Sequence, residues 1–331
     1  MSYAAAGVDI AAAEENVRRI GRDVRSTHGP SVLGDFGGFA GLFHLQDVRD
    51  PVLVASTDGV GTKVLIGLQL GRYDVLGHDL VNLSVNDVLT TGARPLFFLD
   101  YVGLHAIDQG VMEGLVGGMA AACRENGCAL LGGETAQLPD LYAPGQLDLA
   151  GTVVGVVERN AVIDGSAVQP GDRLWGLPST GLHTNGFSLA RQLVSGFDLQ
   201  SDPDGRLGMS LGDALLAPHP SYYRMIAPIL KELKAIAHIT GGGIPGNLPR
   251  VLPETVSVEL EWGAWPVPAI FGFLQEAGQV PFDEMQRVFN LGLGMIFVTA
   301  ANVDPREQCS HAIEVGRVTA RQAPRVIFRR A

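Results

Sequence analysis

Three cysteines in 331 residues are too few for a disulfide framework, and an odd one is left over after any pairing. Cys123 and Cys128 lie five apart in a stretch with helical spacing, which is not the spacing of a zinc knuckle. All three are expected as packing residues in a reducing compartment. Runs of Lys or Arg are missing, and the formal net charge is −11. A nucleic-acid partner would need a basic stripe to neutralise backbone phosphates, so none is expected. Arg329 and Arg330 read as a solvated tail. No uncharged apolar run approaches the roughly 20 residues of a membrane span. The opening "MSYAAAGVDI" lacks the basic region and apolar core of a secretory signal. The expectation is a cytoplasmic protein with no membrane partner. Also missing are a Gly-x-Ser-x-Gly elbow, a zinc motif and a Gly-x-Gly-x-x-Gly turn after a first strand, which leaves hydrolase and nicotinamide chemistry without support.

What is present is apolar and rich in glycine. Hydrophobic residues make up 46% of the chain and charged residues 18%, the balance of a compact globular protein long enough for two domains. The 43 glycines fall in short clusters suited to tight turns and to close approach of backbone and ligand. Helical spacing over 11–28 is followed by a glycine-rich loop, 34–43. "PVLVAST" (51–57) reads as a buried strand, 79–93 as a helix, 95–104 as a strand and 110–127 as a helix. Strands follow at 128–135 and 147–158. Residues 164–181 carry turn signals, after which helices are expected near 186–195 and 221–234, with strands at 256–260 and 292–300. Strands alternating with helices give an α/β (α+β) fold class. The boundary is placed near residue 165, giving domains 1–165 and 166–331.

"STDGVGTK" (56–63) resembles a phosphate loop but fails the Walker pattern, because Thr62 precedes Lys63 and the glycines Gly59 and Gly61 are two apart. It also begins with Asp58, a carboxylate where a phosphate would be repelled. Further carboxylates follow at Asp79, Asp87 and Glu134. Asp79, Asn82 and Asn86 form a polar stripe at helical spacing. Asp79 and Asp87 are separated by about 12 Å of helix rise, too far to share one Mg²⁺. One can hold a metal while the other serves a second metal or the far end of a nucleotide. Asp58, Asp87 and Glu134 offer hard oxygen ligands from three elements. A Mg²⁺ ion between Asp58 and the phosphates would remove the conflict of sign, with Lys63 adding a point charge.

In the second half, "STGLHTNGFSL" (179–189) sets His183, Thr184 and Asn185 in a turn before a helix. "AHITGGGIPGN" (237–247) sets His238 and Thr240 beside Gly241 and Gly242. Backbone N–H groups at such turns bind anions. His28, His44, His78, His105, His219 and His311 lack such a setting and read as structural or surface residues.

These segments, with "YAAAGVDI" (3–10), "GGFAGLF" (37–43), "GHDLVNLSVND" (77–87), "LLGGETAQLPDLY" (130–142) and "FNLGLGM" (289–295), resemble the phosphoribosylformylglycinamidine cyclo-ligases, in order and over nearly the whole chain. The resemblance implies ATP-dependent ring closure of formylglycinamidine ribonucleotide to aminoimidazole ribonucleotide in purine synthesis. It also implies a two-domain fold whose N-terminal domains pair in a homodimer to build a shared β-barrel. Carried over, Asp58, Asp87 and Glu134 would hold Mg²⁺ near the ATP triphosphate. Gly59, Gly61, Thr62 and Lys63 would meet phosphates, and Asp79, Asn86, Gly132 and Gly133 would complete the nucleotide side. Gly37, Gly38 and Phe39 would form a cover. His183, Thr184, Asn185, His238, Thr240, Gly241 and Gly242 would face the other substrate, with His183, His238 and Lys63 the residues expected to act in catalysis. Enzymes sharing the fold, such as selenophosphate synthetase or thiamine monophosphate kinase, are the alternative.

Overall fold

The computed structural model describes residues 10–330. The segment before Ile10, which holds most of "YAAAGVDI" and of the stretch read for a signal, lies outside the described residues. Helix α1 (Ile10–Arg25) forms because Asn16, Ile20 and Val24 recur every four residues and bury one stripe. On its other side Glu15 bridges Arg18 and Arg19. Two short strands, β1 (Val32–Leu33) and β2 (Leu42–Phe43), pair antiparallel across the glycine-rich loop, at whose tip Phe39 is fully exposed.

Next come β3 (Pro51–Gly59), α2 (Lys63–Leu70), α3 (Tyr73–Leu89), β4 (Arg94–Leu104), α4 (Gln109–Asn126), β5 (Ala129–Gln137) and β6 (Leu147–Glu158). Asp108 caps α4 by accepting from the Val111 N–H at 3.0 Å, and left-handed Gly127 ends it. The strands form one sheet in the order β3-β6-β4-β5, antiparallel except for β4 and β5. The sheet is open, with β3 and β5 at its edges.

β3 is not the buried strand its β-branched run suggests. Its burial alternates, and Leu53 is 64% exposed on the face that also carries Leu99 and Tyr101 of β4. Helices cover the other face. α3 begins six residues before the expected start, and its added turns cross α4 backbone to backbone. A Cβ on Gly77 would lie 1.9 Å from the Leu115 carbonyl oxygen, and one on Gly118 would lie 2.0 Å from that of Asp74. Gly118→Ala is therefore expected to cost about 1–3 kcal/mol by overpacking, read as a lower urea midpoint with unchanged slope.

The described chain divides into two compact units, residues 10–88 with 94–159 and residues 89–93 with 160–330. The second contains β7 (Arg173–Pro178), α5 (Phe187–Leu193), α6 (Leu211–Leu215), α7 (Tyr223–Ile226), β8 (Leu233–His238), α8 (Gly243–Asn247), β9 (Val256–Trp262), α9 (Ala269–Gly278), α10 (Phe282–Val288), β10 (Leu293–Thr299), β11 (Ile313–Ala320) and β12 (Val326–Arg330). The sheet runs β12-β9-β11-β7-β10-β8. Alternate residues feed two cores: Leu174, Val258 and Ile296 pack on one face, Trp175, Ile236 and Phe297 on the other.

Three expectations fail here. The turn-rich stretch 164–181 contains β7, which lies inside the sheet, because its four central residues are buried on both faces whatever punctuates its ends. The helix expected over 221–234 is one turn of α7, then a 3-10 segment (Ala227–Glu232) entered through Pro228, then the start of β8. Proline removes the N–H that an α-helix would use. Arg329 is no solvated tail: on β12 it donates to Glu259 of β9 at 2.6 Å.

Candidate functional site

In the first unit, β3 directs Ser56 and Asp58 to the same side, two residues apart. The Ser56 hydroxyl donates to Oδ2 of Asp87 at 3.0 Å, which ties the end of α3 to the strand and sets Asp87 beside the motif. Asp58 accepts from the Gly59 N–H at 2.7 Å, and Gly61, with φ of +55°, turns the chain into α2. Two carboxylates from two elements thus stand near a short turn of backbone N–H groups.

Lys63 is placed differently from the expectation. It is fully buried, and its ammonium donates to Oδ2 of Asp79, also fully buried, at 2.5 Å. The point charge expected on phosphate is committed to an internal ion pair. The polar stripe that included Asp79 lies inside the unit, where Asn82 and Asn86 are buried as well and Asn82 accepts from Asn126 at 2.7 Å. Helical spacing identifies a polar face but not whether that face meets water or other polar side chains.

Glu134 is also separated from its expected partners. In register it stands opposite Tyr101 of β4, which pairs with Ala150 of β6, which pairs with Gly59 of β3. Three strand spacings, about 14 Å, separate the two edges, so Glu134 and Asp58 of one chain cannot share an ion. Among the described residues no group of three or more His, Cys, Asp or Glu is gathered to hold a metal. Mg²⁺ needs only one or two carboxylates when phosphate oxygens and water complete its shell, and Asp58 with Asp87 fits that requirement.

Beside Glu134, Gly132, Gly133 and Thr135 line a cavity of about 290 Å³, together with Asp100 and the Asn16 stripe of α1. Asn16 is buried, and its Oδ1 has no hydrogen-bond partner among the described residues. Asp100 lies against the backbone of Gly133, where a Cβ would come within 2.1 Å of its Oδ1. Burial pushes the Asp100 carboxyl up to about 7, and the Glu134 charge adds to the rise. Between the unfolded carboxylate range near pH 4 and pH 7 the folded chain holds a proton that the unfolded chain releases. Stability from this group is full below about pH 4 and is lost as pH rises through 7. Asp100→Asn should flatten that slope by about 1 kcal/mol or more between pH 5 and 8, measured by denaturant midpoints.

In the second unit the two glycine-flanked loops converge. His183 takes a left-handed backbone, φ +63°, in the turn between β7 and α5. Asn290 braces that turn, accepting from the Ser179 hydroxyl and donating to the Gly181 carbonyl, both at 2.8 Å. His238 ends β8, and Thr240, Gly241 and Gly242 lead into α8, where Asn247 donates to the carbonyls of Thr240, Gly241 and Gly243. A Cβ on Gly241 would meet Oδ1 of Asn185 at 3.3 Å, so the loops touch there. They also meet through His219. The His183 ring stacks on it with centroids 4.1 Å apart, and its Nε2 lies 3.1 Å from Nε2 of His238. Gly294 leaves room for the group: a Cβ there would lie 2.0 Å from the Tyr222 hydroxyl and 2.5 Å from Cε1 of His183.

Both units match family models, residues 40–157 the "AIR synthase related protein, N-terminal domain" and residues 169–329 the corresponding C-terminal domain. A phosphoribosylformylglycinamidine cyclo-ligase of Methylobacillus flagellatus is 45% identical over 98% of this chain and 96% of its own length. One from Sorangium cellulosum is 49% identical over 90% of this chain and 88% of its own. The chain belongs to the phosphoribosylformylglycinamidine cyclo-ligase family. Hydrogenase maturation protein HypE, solved in complex with ATP, shares the fold with a TM-score of 0.65, at 18% identity over 93% of this chain and 89% of its own.

Three residues of the cyclo-ligase chain were not singled out by sequence reasoning. His219 lies between Pro218 and Pro220 with no motif around it, Asp100 sits midway along an apolar strand, and Asn16 sits in an ordinary amphipathic helix. Each acquires its setting from elements distant in sequence, so no local signal marks it. No described helix is long and apolar enough to cross a membrane.

Proposed function

We propose that this chain closes formylglycinamidine ribonucleotide to aminoimidazole ribonucleotide, consuming ATP and releasing ADP and phosphate, as a cytoplasmic enzyme of purine synthesis. The observation that carries this reading is near-full-length identity of 45–49% with cyclo-ligases across both units. Fold kinship alone would not choose the substrate, since hydrogenase maturation proteins share it.

In this reading ATP phosphorylates the formyl amide oxygen, turning a poor leaving group into a good one. The ribose-bearing nitrogen then attacks the formyl carbon of the same molecule, and phosphate departs. Holding both reacting groups makes the closure intramolecular. The first unit takes the nucleotide. Gly59, Gly61 and Thr62 offer N–H and hydroxyl donors to phosphates, and Asp58 and Asp87 hold Mg²⁺. The ion supplies charge neutralisation at the phosphates. The buried Lys63–Asp79 pair and Asn86 support the loop from beneath rather than touching phosphate. Gly132, Gly133 and Glu134 line another part of the nucleotide side, and Gly37, Gly38 and Phe39 its cover. The second unit takes the amidine substrate through His183, Thr184, Asn185, His238, Thr240, Gly241 and Gly242.

A homodimer is part of the proposal. The open sheet face bearing Leu53, Leu99 and Tyr101, with edges at β3 and β5, suits closure into a barrel against a second copy. The test of function is incubation with ATP, Mg²⁺ and formylglycinamidine ribonucleotide, with aminoimidazole ribonucleotide the expected product. ATP turnover on thiamine monophosphate instead, with no ring closure, would overturn it.

A further inference from the structure

His219 is fully buried and joins the two loops assigned above to the amidine substrate. Two imidazole Nε2 atoms 3.1 Å apart share one proton, one ring donating and the other accepting. If His219 donates, its Nδ1 is bare and accepts from the Thr184 hydroxyl at 3.4 Å, while His238 carries its proton on Nδ1. If His238 donates, His219 carries its proton on Nδ1 and donates to Thr184 Oγ1. In both arrangements the tautomers of the two rings are locked together. Two cationic rings would bring two N–H groups head to head, so the bridged pair holds at most one positive charge. The titratable side chains with ring contacts to the group are His183, stacked on His219, and Tyr222, tilted against His183. Burial pushes the Tyr222 hydroxyl well up from its ordinary value, so it stays neutral and donates to the Pro178 carbonyl at 2.9 Å.

We infer that His219 is a positioning residue that sets the tautomer of His238 and couples it to Thr184, making one proton-sharing unit of the two loops. The kinetic part of this inference rests on the reading that those loops face the amidine substrate. The bridge itself does not.

Two measurements test it. In protein with ¹⁵N-labelled histidine, a ¹⁵N–¹⁵N coupling across the Nε2 pair and complementary tautomers for His219 and His238 are expected. His219→Phe should lower kcat roughly 10-fold or more, with the KM for ATP unchanged, and alter the His238 ring signals. His219→Gln, which keeps a donor and an acceptor, should recover most of the rate. Absence of the coupling in the wild-type protein overturns the inference, as does a folded His219→Phe variant with unchanged kcat and an unchanged His238 spectrum. Should His219→Phe not fold, the wild-type coupling and the His219→Gln rate decide. A wild-type protein with the coupling but without ring-closing activity defeats the functional reading and leaves the bridge standing.

Discussion

Asp87→Asn is expected to lower kcat by about 10³-fold while leaving the unfolding midpoint nearly unchanged. The substitution is isosteric, and its carbonyl oxygen can still accept from Ser56, which now donates to Asp87 at 3.0 Å. What disappears is the negative charge. A neutral amide is a far poorer ligand for Mg²⁺, a hard cation that prefers carboxylate oxygens and phosphates. With Glu134 on the opposite edge of the sheet, the proposed Mg²⁺ site of one chain would rest on Asp58 and Asp87. Steady-state rates across a Mg²⁺ titration, with circular dichroism as the control on folding, check the expectation. A fully active Asp87→Asn enzyme would remove this residue from the metal assignment.

Breaking the Lys63–Asp79 pair should have the largest effect on stability. Both side chains are fully buried, so removing one takes the ion-pair partner from a charge in a medium that solvates it poorly. Lys63→Met or Asp79→Leu alone is expected to cost about 3–5 kcal/mol, seen as a large drop in the urea midpoint. The double variant should recover much of that loss, because burying two apolar chains of similar size strands no charge. A positive coupling energy of this size in the double-mutant cycle would mark the pair as structural. Singles costing under about 1 kcal/mol would mean instead that water reaches the ammonium, as a phosphate contact would require.

How much of the chain is legible locally depends on what each residue must satisfy. β4, β5 and β6 lie where their apolar runs suggest, because a strand's own side chains report the face it buries. Pro228 truncates a helix that periodicity alone extends, and β7 lies within a stretch that reads as turns, because turn residues mark ends without reporting what lies between them. The family resemblance was readable because its motifs are short, ordered and spread along the chain, and the identity with named cyclo-ligases bears it out.

The amino-acid sequence by itself determined the alternation of strands and helices, the family, and which polar residues gather in loops, since each follows from composition, period and motif order. Which of those residues meet one another was decided by the tertiary structure. Strand order puts Glu134 about 14 Å from the edge that carries Asp58. Helix packing buries Lys63 against Asp79. His219, flanked by prolines and without a motif, becomes the bridge between two loops whose His183 and His238 lie 36 residues before it and 19 after it. The physical reason is common to all three cases. A side chain's charge and shape are local properties, whereas its neighbours are set by register and packing between segments far apart along the chain.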